Sequence, residues 1–383
     1  MAKNRCFRQH IVSAHCIELE EPHLRNEAHT EMKHPLAVDG VTSGWLAEAL
    51  RFRHPDVALT DARIQDVIPG TSTKIRVRLR FRDGHDCGLP TTMIVKGGFE
   101  THSPAMKEMY LNEVRCYRDV LPFIDMRAPD CYYAGSDPAS HQSIVLMEDL
   151  AVRNVTFLHA QRPLDPSRVA RRLRDMARYH AQTWNSAEFA PGGRWNFIGG
   201  RHEGWSVAYQ DRYLEPATWG HYMSLPRAAA VSRLFHDGAW MRGALRKLGE
   251  YHAQFPVCLI HGDTHLGNLY EETDGTPGFF DMQVARAPWF TEVCYHLVAA
   301  LDVADRREHE AALLRTYLDA LAREAITPPH FEEAMDAYRR EIAYGLFIFL
   351  INETRFQDEA INTAYAARFG TAALDHDTFR LLS

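Results

Sequence analysis

The sequence lacks the features that mark several special classes of protein. It has seven cysteines in 383 residues but no Cys-x-x-Cys pair, so neither a zinc knuckle nor a disulfide framework is indicated. Its longest apolar run, residues 344–351, is far short of the roughly 20 residues that span a bilayer. We therefore expect no membrane partner and interpret this run as a buried helix.

Basic charge is also scarce. Lys and Arg number 43 against 50 Asp and Glu, which gives a net charge of -7 at pH 7. Proteins that follow a phosphate backbone usually carry a basic face, so nucleic acid is not expected as a partner. The chain opens without a charged segment followed by an apolar one, the pattern of a secretory signal. With the scattered cysteines, this indicates a reducing, cytoplasmic setting.

Hydrophobic periodicity divides the chain into three parts. Residues 1–31 show no sustained period of 2 or 3.6, so we expect residues 1–41 to be a poorly ordered N-terminal extension. Residues 42–150 predict an antiparallel sheet with one long helix, and residues 151–383 a mostly helical lobe. The result is a two-lobed α+β fold with a cleft. Strands are predicted at 64–67, 74–81, 91–96 and 143–147, and helices at 43–51, 104–120 and, within the helical part that starts at Pro166, at 169–184.

The chemistry is concentrated in a β-like segment, residues 257–284. An apolar strand leads into Asp263, Asn268 follows five positions later, and a second strand after a turn delivers Asp281. Phosphoryl transfer needs a group that orients the acceptor hydroxyl and hard oxygen ligands for Mg²⁺. We assign Asp263 as the base or hydroxyl-positioning group and Asn268 and Asp281 as metal ligands.

These motifs resemble those of a known superfamily. His261-Gly-Asp-Thr-His-Leu-Gly-Asn268 is similar to the H-G-D-x-H-x-x-N motif of the aminoglycoside phosphotransferases and choline kinases. Phe280-Asp-Met-Gln283 resembles the variant of the ecdysteroid-kinase-like branch. The resemblance covers roughly residue 42 to the C-terminus. It implies a protein-kinase-like fold and a small-molecule kinase that uses ATP (or GTP) and Mg²⁺.

The resemblance also implies nucleotide-binding residues in the first lobe. Met93-Ile-Val-Lys96 is similar to the strand with the phosphate-binding lysine, and Glu113 to the glutamate that pairs with it. The turn with Gly70 and Ser72 stands where the family has its nucleotide-covering loop, although it is poor in glycine.

Residues 144–150 resemble the strand and hinge over which adenine lies. The resemblance implies adenine contacts from the backbone of Glu148 and Leu150. One departure concerns the next helix start after Asp281, where the family usually has Asp-Leu. Glu292 stands there and could cap the helix or pair near its N-terminus.

Two other function classes fit parts of the pattern. His261, Asp263 and His265 form a His-x-Asp-x-His cluster that could bind Zn²⁺ in a hydrolase, but no second His and Asp cluster stands out to complete it. We expect the His261 ring to bond to loop backbone and His180 to be a satisfied core histidine. A kinase-like fold can also lose activity and serve as a binding protein.

The acceptor is constrained only by composition. Residues 195–219 combine several aromatic side chains with few acids, which favours a bulky, fairly apolar hydroxylated molecule over a cationic sugar. A steroid-, terpenoid- or hydroxyacyl-like compound would suit. Alternatively, these aromatics simply pack the helical core. They are Trp195, Phe197, Trp205, Tyr209, Tyr213 and Trp219.

Overall fold

A computed structural model describes residues 32–383 of the chain. The prediction for residues 1–31 lies outside this range. Residues 32–41, which we expected to be part of a poorly ordered extension, pack against the first-lobe sheet instead. Met32 and Val41 are buried there, and the ring Nε2 of His34 lies 2.7 Å from the Tyr133 hydroxyl. These apolar and hydrogen-bonded contacts explain why the segment is ordered.

The first lobe is an antiparallel five-stranded sheet in the order β1-β2-β3-β5-β4. The strand predicted at 74–81 has the expected alternation, with Ile75, Val77 and Leu79 buried. β4 was not predicted. The strands are β1 (Leu59–Ile68), β2 (Thr73–Phe81), β3 (Thr92–Gly97), β4 (Cys131–Ser136) and β5 (Ser143–Glu148), and α1 (Ser43–Arg51) packs beside β1.

The helix predicted at 104–120 consists of three pieces. A 3-10 turn (Ser103–Met106) leads into α2 (Lys107–Arg115), and a π-helical turn (Cys116–Val120) follows. Pro104 stands in the first turn, where a missing backbone N–H costs nothing. α2 packs on β5 and β4 and buries Glu113.

The rest of the chain is mostly helical, as predicted, and a small two-stranded and a small three-stranded sheet interrupt it. No helix within residues 32–383 is long and apolar enough to cross a membrane. The helices are α3 (Pro166–Gln182), α4 (Gly204–Tyr213), α5 (Pro216–Met223), α6 (Pro226–Ala229), α7 (Gly238–His252), α8 (Trp289–Ala300), α9 (Val303–Arg323), α10 (Phe331–Ile351), α11 (Glu359–Asp375) and α12 (Thr378–Leu381).

The two small sheets carry the loops with the motif residues. β7 pairs with β10, and β8 pairs with β6 and β9. The turn between β8 and β9 contains Gly275 at φ +84°, a conformation that favours glycine. These strands are β6 (Thr156–Phe157), β7 (Cys258–Ile260), β8 (Leu269–Glu271), β9 (Pro277–Phe279) and β10 (Ala285–Ala287). As a result, the loops after β7 and β9 lie beside each other.

Candidate active site

The loop after β7 is held in place by close backbone packing at Gly262. This residue has φ +88°, and a β-carbon on it would lie 2.0 Å from the carbonyl oxygen of Gln283. Only glycine allows both the backbone conformation and the approach of the two loops. The Gln283 N–H in turn donates to the His261 carbonyl at 3.1 Å. This contact brings Asp263 and Asp281 to one cavity.

Asp263 is the most fully oriented side chain of this loop. Its Oδ1 accepts a hydrogen bond from the Tyr295 hydroxyl at 2.8 Å, and its Oδ2 accepts one from Asn268 Nδ2 at 2.9 Å. The Nε2 of His265 lies 3.5 Å from Oδ2. About a third of the side chain remains exposed, at 31%. The carboxyl group is therefore fixed in orientation and still open to a ligand.

The surroundings keep Asp263 ionised. Burial by itself would raise the pKa of this carboxyl group, but the charge and hydrogen bond of His265 and the hydrogen bond from Tyr295 together lower it to about 2. Hydrogen bonds to a carboxylate favour its charged form. At neutral pH Asp263 is thus a carboxylate that accepts hydrogen bonds and is a weak base.

Asp281 stands opposite, between two lysines. Its Oδ1 contacts Lys96 Nζ, and its Oδ2 lies 3.3 Å from Lys74 Nζ. Asp281 has φ +59°, a left-handed conformation that Asp and Asn tolerate better than most residues. The strand register places Lys74 directly across from Lys96. Two cations therefore converge on one carboxylate at the mouth of the cleft.

Lys96 is also paired on its buried side. Its Nζ donates to Glu113 Oε1 at 2.6 Å, and both side chains are about 95% buried. Burial lowers the pKa of Lys96 to about 8, although the charge of Glu113 opposes this shift. The pairing of these two residues, implied by the family resemblance, is present in the structure.

A cavity of about 290 Å³ opens beside the two lysines, under β1–β3 and the end of β5. Its walls are mostly apolar, with Ile94, Met147 and Phe280 among them, and Glu148 and Leu150 lie at its rim. Arg76 also lines it and donates from Nε to Asp149 Oδ2 at 2.9 Å. The cavity has the chemistry of a site for a flat aromatic base.

A second cavity of about 430 Å³ continues from the first and shares Lys74, Lys96 and Asp281 with it. Gly70 and Ser72, in the turn between β1 and β2, line its roof, and Asp263 and Asn268 line its floor. All five motif residues of the predicted phosphate and metal site therefore border one space: Lys96, Glu113, Asp263, Asn268 and Asp281.

A third cavity, of about 180 Å³, adjoins the second and shares Asp263, His265 and Gln283 with it. Trp205 and Tyr209 line it, whereas Trp195, Tyr213 and Trp219 are buried in the core. Part of the aromatic segment therefore packs the core, and part of it lines a cavity beside Asp263, where the acceptor prediction stays a prediction. The remaining walls come from α2, α8 and α10 and the residues just beyond α10, including Met109, Tyr295, Tyr344, Phe349 and Phe356.

Buried polar groups support the Asp263 loop from behind. Glu292 accepts hydrogen bonds from the Tyr179 hydroxyl at 2.6 Å and the Gly262 N–H at 3.3 Å, and lies 2.8 Å from His180 Nε2. Burial alone would raise its pKa, but the hydrogen bond and charge of His180 lower it. His180 also lies 2.9 Å from Tyr317. His180 is the satisfied core histidine that we expected, and Glu292 does pair near its helix start.

The contacts of His261 contradict the interpretation of the chain as a zinc hydrolase. Its Nδ1 accepts from the Asp263 N–H at 3.2 Å and its Nε2 lies 2.9 Å from the Phe280 carbonyl, so both ring nitrogens are bonded to backbone, as we expected. The ring is fully buried. Within residues 32–383 no three His, Cys, Asp or Glu side chains are grouped to hold a metal ion. The described residues therefore do not supply a zinc site of the hydrolase type.

The oxygen donors fit Mg²⁺ better. Mg²⁺ takes only one or two carboxylates and completes its octahedron with water and phosphate oxygens. Asp281 offers a carboxylate, and Asn268 offers its amide oxygen because its Nδ2 is used on Asp263. Both border the space between Lys96 and Asp263. The residues present thus fit the metal that the resemblance implies.

Sequence reasoning missed two residues of the site, Lys74 and Tyr295. Lys74 belongs to a strand face that we interpreted as exposed to solvent, yet it lines both the 290 Å³ and the 430 Å³ cavities. Tyr295 lies in α8, where every residue is buried and no periodicity singles it out. The only signal for Lys74 was its position at the start of β2, directly after the turn with Gly70 and Ser72.

Comparisons with known proteins bear on the family and the fold. The sequence model of the ecdysteroid kinase-like family matches residues 71–192, which include Lys96 and Glu113 but end before Asp263. No curated protein matches the chain.

Two solved structures are similar in fold. A choline kinase from Cryptosporidium parvum Iowa II shares 11% identity over 83% of this chain and 89% of that one, with a TM-score of 0.51. An ethanolamine kinase from Plasmodium vivax shares 12% identity over 84% and 83%, with a TM-score of 0.50. The protein-kinase-like α+β fold implied by the motifs is confirmed.

Proposed function

We propose that this chain, part of which matches the ecdysteroid kinase-like family, transfers the γ-phosphate of ATP (or GTP) to a hydroxyl group of a small molecule. One observation carries the proposal. The fixed carboxylate of Asp263 borders both the 430 Å³ cavity with the two lysines and the adjoining 180 Å³ cavity with aromatic walls. A phosphate donor in the first cavity and an acceptor in the second can therefore both reach Asp263.

In the proposed complex the nucleotide occupies the two cavities on the side of the lysines. The adenine lies in the 290 Å³ cavity beside the backbone of Glu148 and Leu150, and its phosphates extend toward Lys96 and Lys74. Both lysines contact Asp281. In the proposed complex they also bind phosphate oxygens, and the turn with Gly70 and Ser72 covers the phosphates.

Asp263 orients the acceptor hydroxyl for attack. The acceptor oxygen forms a bond to the γ-phosphorus while the bond from that phosphorus to the β–γ bridging oxygen breaks, and ADP leaves with that oxygen. The hydroxyl proton passes to Asp263 late in the reaction. A carboxyl group with a pKa near 2 is too weak a base for early proton removal, and the loose transition state of phosphoryl transfer does not require it.

Asn268 and Asp281 would hold Mg²⁺, which would supply positive charge to neutralise the phosphate oxygens. Glu113 holds Lys96 in position from the buried side of the sheet. Tyr295 and Asn268 fix the two oxygens of Asp263, so its orientation does not have to be established when the acceptor binds.

The acceptor should be a fairly apolar hydroxylated compound. Within the described residues that line the 180 Å³ cavity, Asp263 is the only carboxylate, whereas Trp205, Tyr209, Tyr344 and Phe349 offer apolar surface. A polycationic sugar would need several acids there.

Thermal unfolding with three additions tests this function: ATP with Mg²⁺, ATP with EDTA, and Zn²⁺ alone. A ligand at 100 times its Kd stabilises the folded state by about 2.7 kcal/mol, so a metal-dependent rise in melting temperature with ATP is expected. ADP release in the presence of hydroxylated acceptors should follow. A rise with Zn²⁺ and none with ATP would contradict the proposal and favour the hydrolase. ATP binding without ADP release from any acceptor would favour an inactive kinase-like binding protein.

A further inference from the structure

A single arginine in the acceptor cavity lacks a carboxylate partner. Arg201 lines the 180 Å³ cavity together with Asp263, and its Nη2 donates to the Gly262 carbonyl at 2.7 Å. Its guanidinium lies 5.3 Å from the ring centroid of Tyr344. Within residues 32–383, neither Asp263 nor any other carboxylate forms an ion pair with it.

The guanidinium of Arg201 is also short of hydrogen-bond partners. Its buried Nε has none among the described residues, as is also true of the Nε of Arg153, Arg172, Arg286 and Arg306. Of these five arginines, Arg201 alone lines the cavity beside Asp263. A guanidinium has five N–H donors in a planar fork, and the planar fork of a carboxylate matches them in pairs. Arg201 therefore has unused donor capacity beside the catalytic loop.

The cavity also continues past Arg201. A neighbouring cavity of about 240 Å³ shares Arg201, Met109, Trp205 and Gln283 with it. Phe197 lies in its wall under the guanidinium of Arg115, 5.1 Å from the ring centroid. The charged side chains of Glu108, Arg115 and Glu203 also line this neighbouring cavity. The acceptor space is thus elongated, with aromatic surface from Trp205 and Phe197, and Arg201 borders both of its parts.

We infer that the acceptor is an apolar hydroxy acid whose carboxylate binds Arg201 and whose hydroxyl binds Asp263. This inference rests on the proposed kinase function and specifies its substrate. Arg201 holds the carbonyl of Gly262, which directly precedes Asp263. The carboxylate and the hydroxyl must therefore be only a few bonds apart, as in a 3-hydroxy acid. The apolar remainder then fills the acceptor space toward Trp205 and Phe197.

A cationic acceptor is the main alternative, because aromatic walls can also bind a quaternary ammonium group. The unpaired positive charge of Arg201 would repel such a group in the same cavity. A neutral steroid or terpenoid would leave the Arg201 donors unsatisfied. The three acceptor classes therefore differ in how they interact with one side chain, and this makes them separable by experiment.

The test compares kcat/KM for matched acceptors, measured by ADP release with Mg²⁺ and ATP. The acids are 3-hydroxyhexanoate, 3-hydroxyoctanoate and 3-hydroxydecanoate, and the comparison compounds are their methyl esters, 1,3-decanediol and choline. At least one acid should exceed its ester by roughly tenfold or more, because hydrogen bonds to charged groups contribute about 1.5–3 kcal/mol. Arg201→Gln should bring the ratio of acid to ester close to one, and Arg201→Lys should restore part of it.

Arg242→Gln is the matched control. Arg242 lies in α7, donates from Nη2 to the Leu214 carbonyl at 2.9 Å and lines neither acceptor cavity. It should leave the ratio of acid to ester unchanged. Because Arg201 also contacts Gly262, its removal can slow the phosphorylation of both the acid and the ester. The decisive quantity is therefore the ratio of the two kcat/KM values and not either rate alone.

Several outcomes would overturn the inference. These are esters or choline as the better acceptors, an unchanged ratio in Arg201→Gln, or ATP binding without phosphorylation of any acid. Each of them leaves the proposed kinase function intact or tests it separately. Failure of the kinase function itself would be distinct, since ATP with Mg²⁺ would then neither stabilise the protein nor be consumed with any acceptor.

Discussion

The Tyr295 hydroxyl donates a hydrogen bond to Asp263 Oδ1 at 2.8 Å, although the two residues are 32 positions apart in the sequence. The Tyr295 ring stacks on Phe349, with 5.5 Å between the ring centroids. This packing fixes the hydroxyl without help from the ligand. Tyr295 is therefore a positioning residue that sets the direction of the Asp263 carboxylate and helps to keep its pKa low.

Tyr295→Phe should lower kcat by roughly fivefold, because one hydrogen bond contributes about 1 kcal/mol. The ring packing is retained, so the melting temperature and the Kd for ATP should change little. Steady-state kinetics and nucleotide titration measure these quantities. Tyr251→Phe is the control. The hydroxyl of Tyr251 lies 3.3 Å from Asp336, away from the cleft. Equal losses of kcat in both variants would contradict a positioning role for Tyr295.

Asp263→Asn should reduce kcat by roughly 10²- to 10⁴-fold, since the acceptor hydroxyl loses its charged partner and proton acceptor. The side chain does not contact the nucleotide in the proposed scheme, so the Kd for ATP with Mg²⁺ should stay within about twofold. Single-turnover ADP release and thermal shift separate the two effects. Turnover at the normal rate in this variant would remove Asp263 from the mechanism.

Asp281→Asn should weaken binding of ATP with Mg²⁺ by roughly tenfold or more, as expected for the loss of a charge-assisted contact. Binding of ATP in EDTA should not weaken, because Lys74 and Lys96 are no longer paired with this carboxylate. The metal dependence of binding should therefore shrink. Asp274→Asn, in the exposed turn between β8 and β9, is the control. An unchanged metal dependence in Asp281→Asn would exclude a metal role for Asp281.

The motif residues were predictable because their spacing is local. Asp263 and Asn268 share one tight loop, and a short hairpin returns the chain to Asp281. Residues that reach the site through tertiary packing were not predictable. Tyr295 is one of twelve buried residues in α8, and Arg201 comes from a segment without regular structure next to α4.

The prediction of the first-lobe sheet was limited in a similar way. The alternation in β2 correctly predicted that one face of the strand is buried and the other polar. It did not predict that two residues of the polar face, Lys74 and Arg76, border the 290 Å³ cavity. Periodicity distinguishes buried from exposed residues but does not distinguish bulk solvent from a cleft. β4 was missed because its six residues mix aromatic, small and polar side chains without alternation.

The pH dependence of nucleotide binding should follow Lys96. Its pKa of about 8 means that it is charged below that pH and neutral above it. The kcat/KM for ATP should therefore be maintained below about pH 8 and fall above it. Since the charge of Lys74 lowers this pKa, Lys74→Gln should move the fall to higher pH. Glu113→Gln removes a charge that raises the pKa and should move the fall to lower pH. Identical pH profiles in all three proteins would rule out Lys96 as the titrating group.

Glu292 should stabilise the fold in a way that depends on pH. Its pKa is lowered in the folded state, so its contribution is present above its ordinary pKa and is lost as the pH falls through the lowered value. Glu292→Gln removes the charge beside His180 and should cost about 1–3 kcal/mol of unfolding free energy at neutral pH. The cost should shrink under acidic conditions.

Denaturant unfolding at neutral and acidic pH measures this difference. Glu308→Gln is the control, since the side chain of Glu308 is 76% exposed and should contribute little at either pH. Because Glu292 also accepts from the Gly262 N–H, the Gln variant should lower kcat along with stability. A Gln variant as stable as the unmodified protein at neutral pH would mean that the buried charge does not hold the catalytic loop.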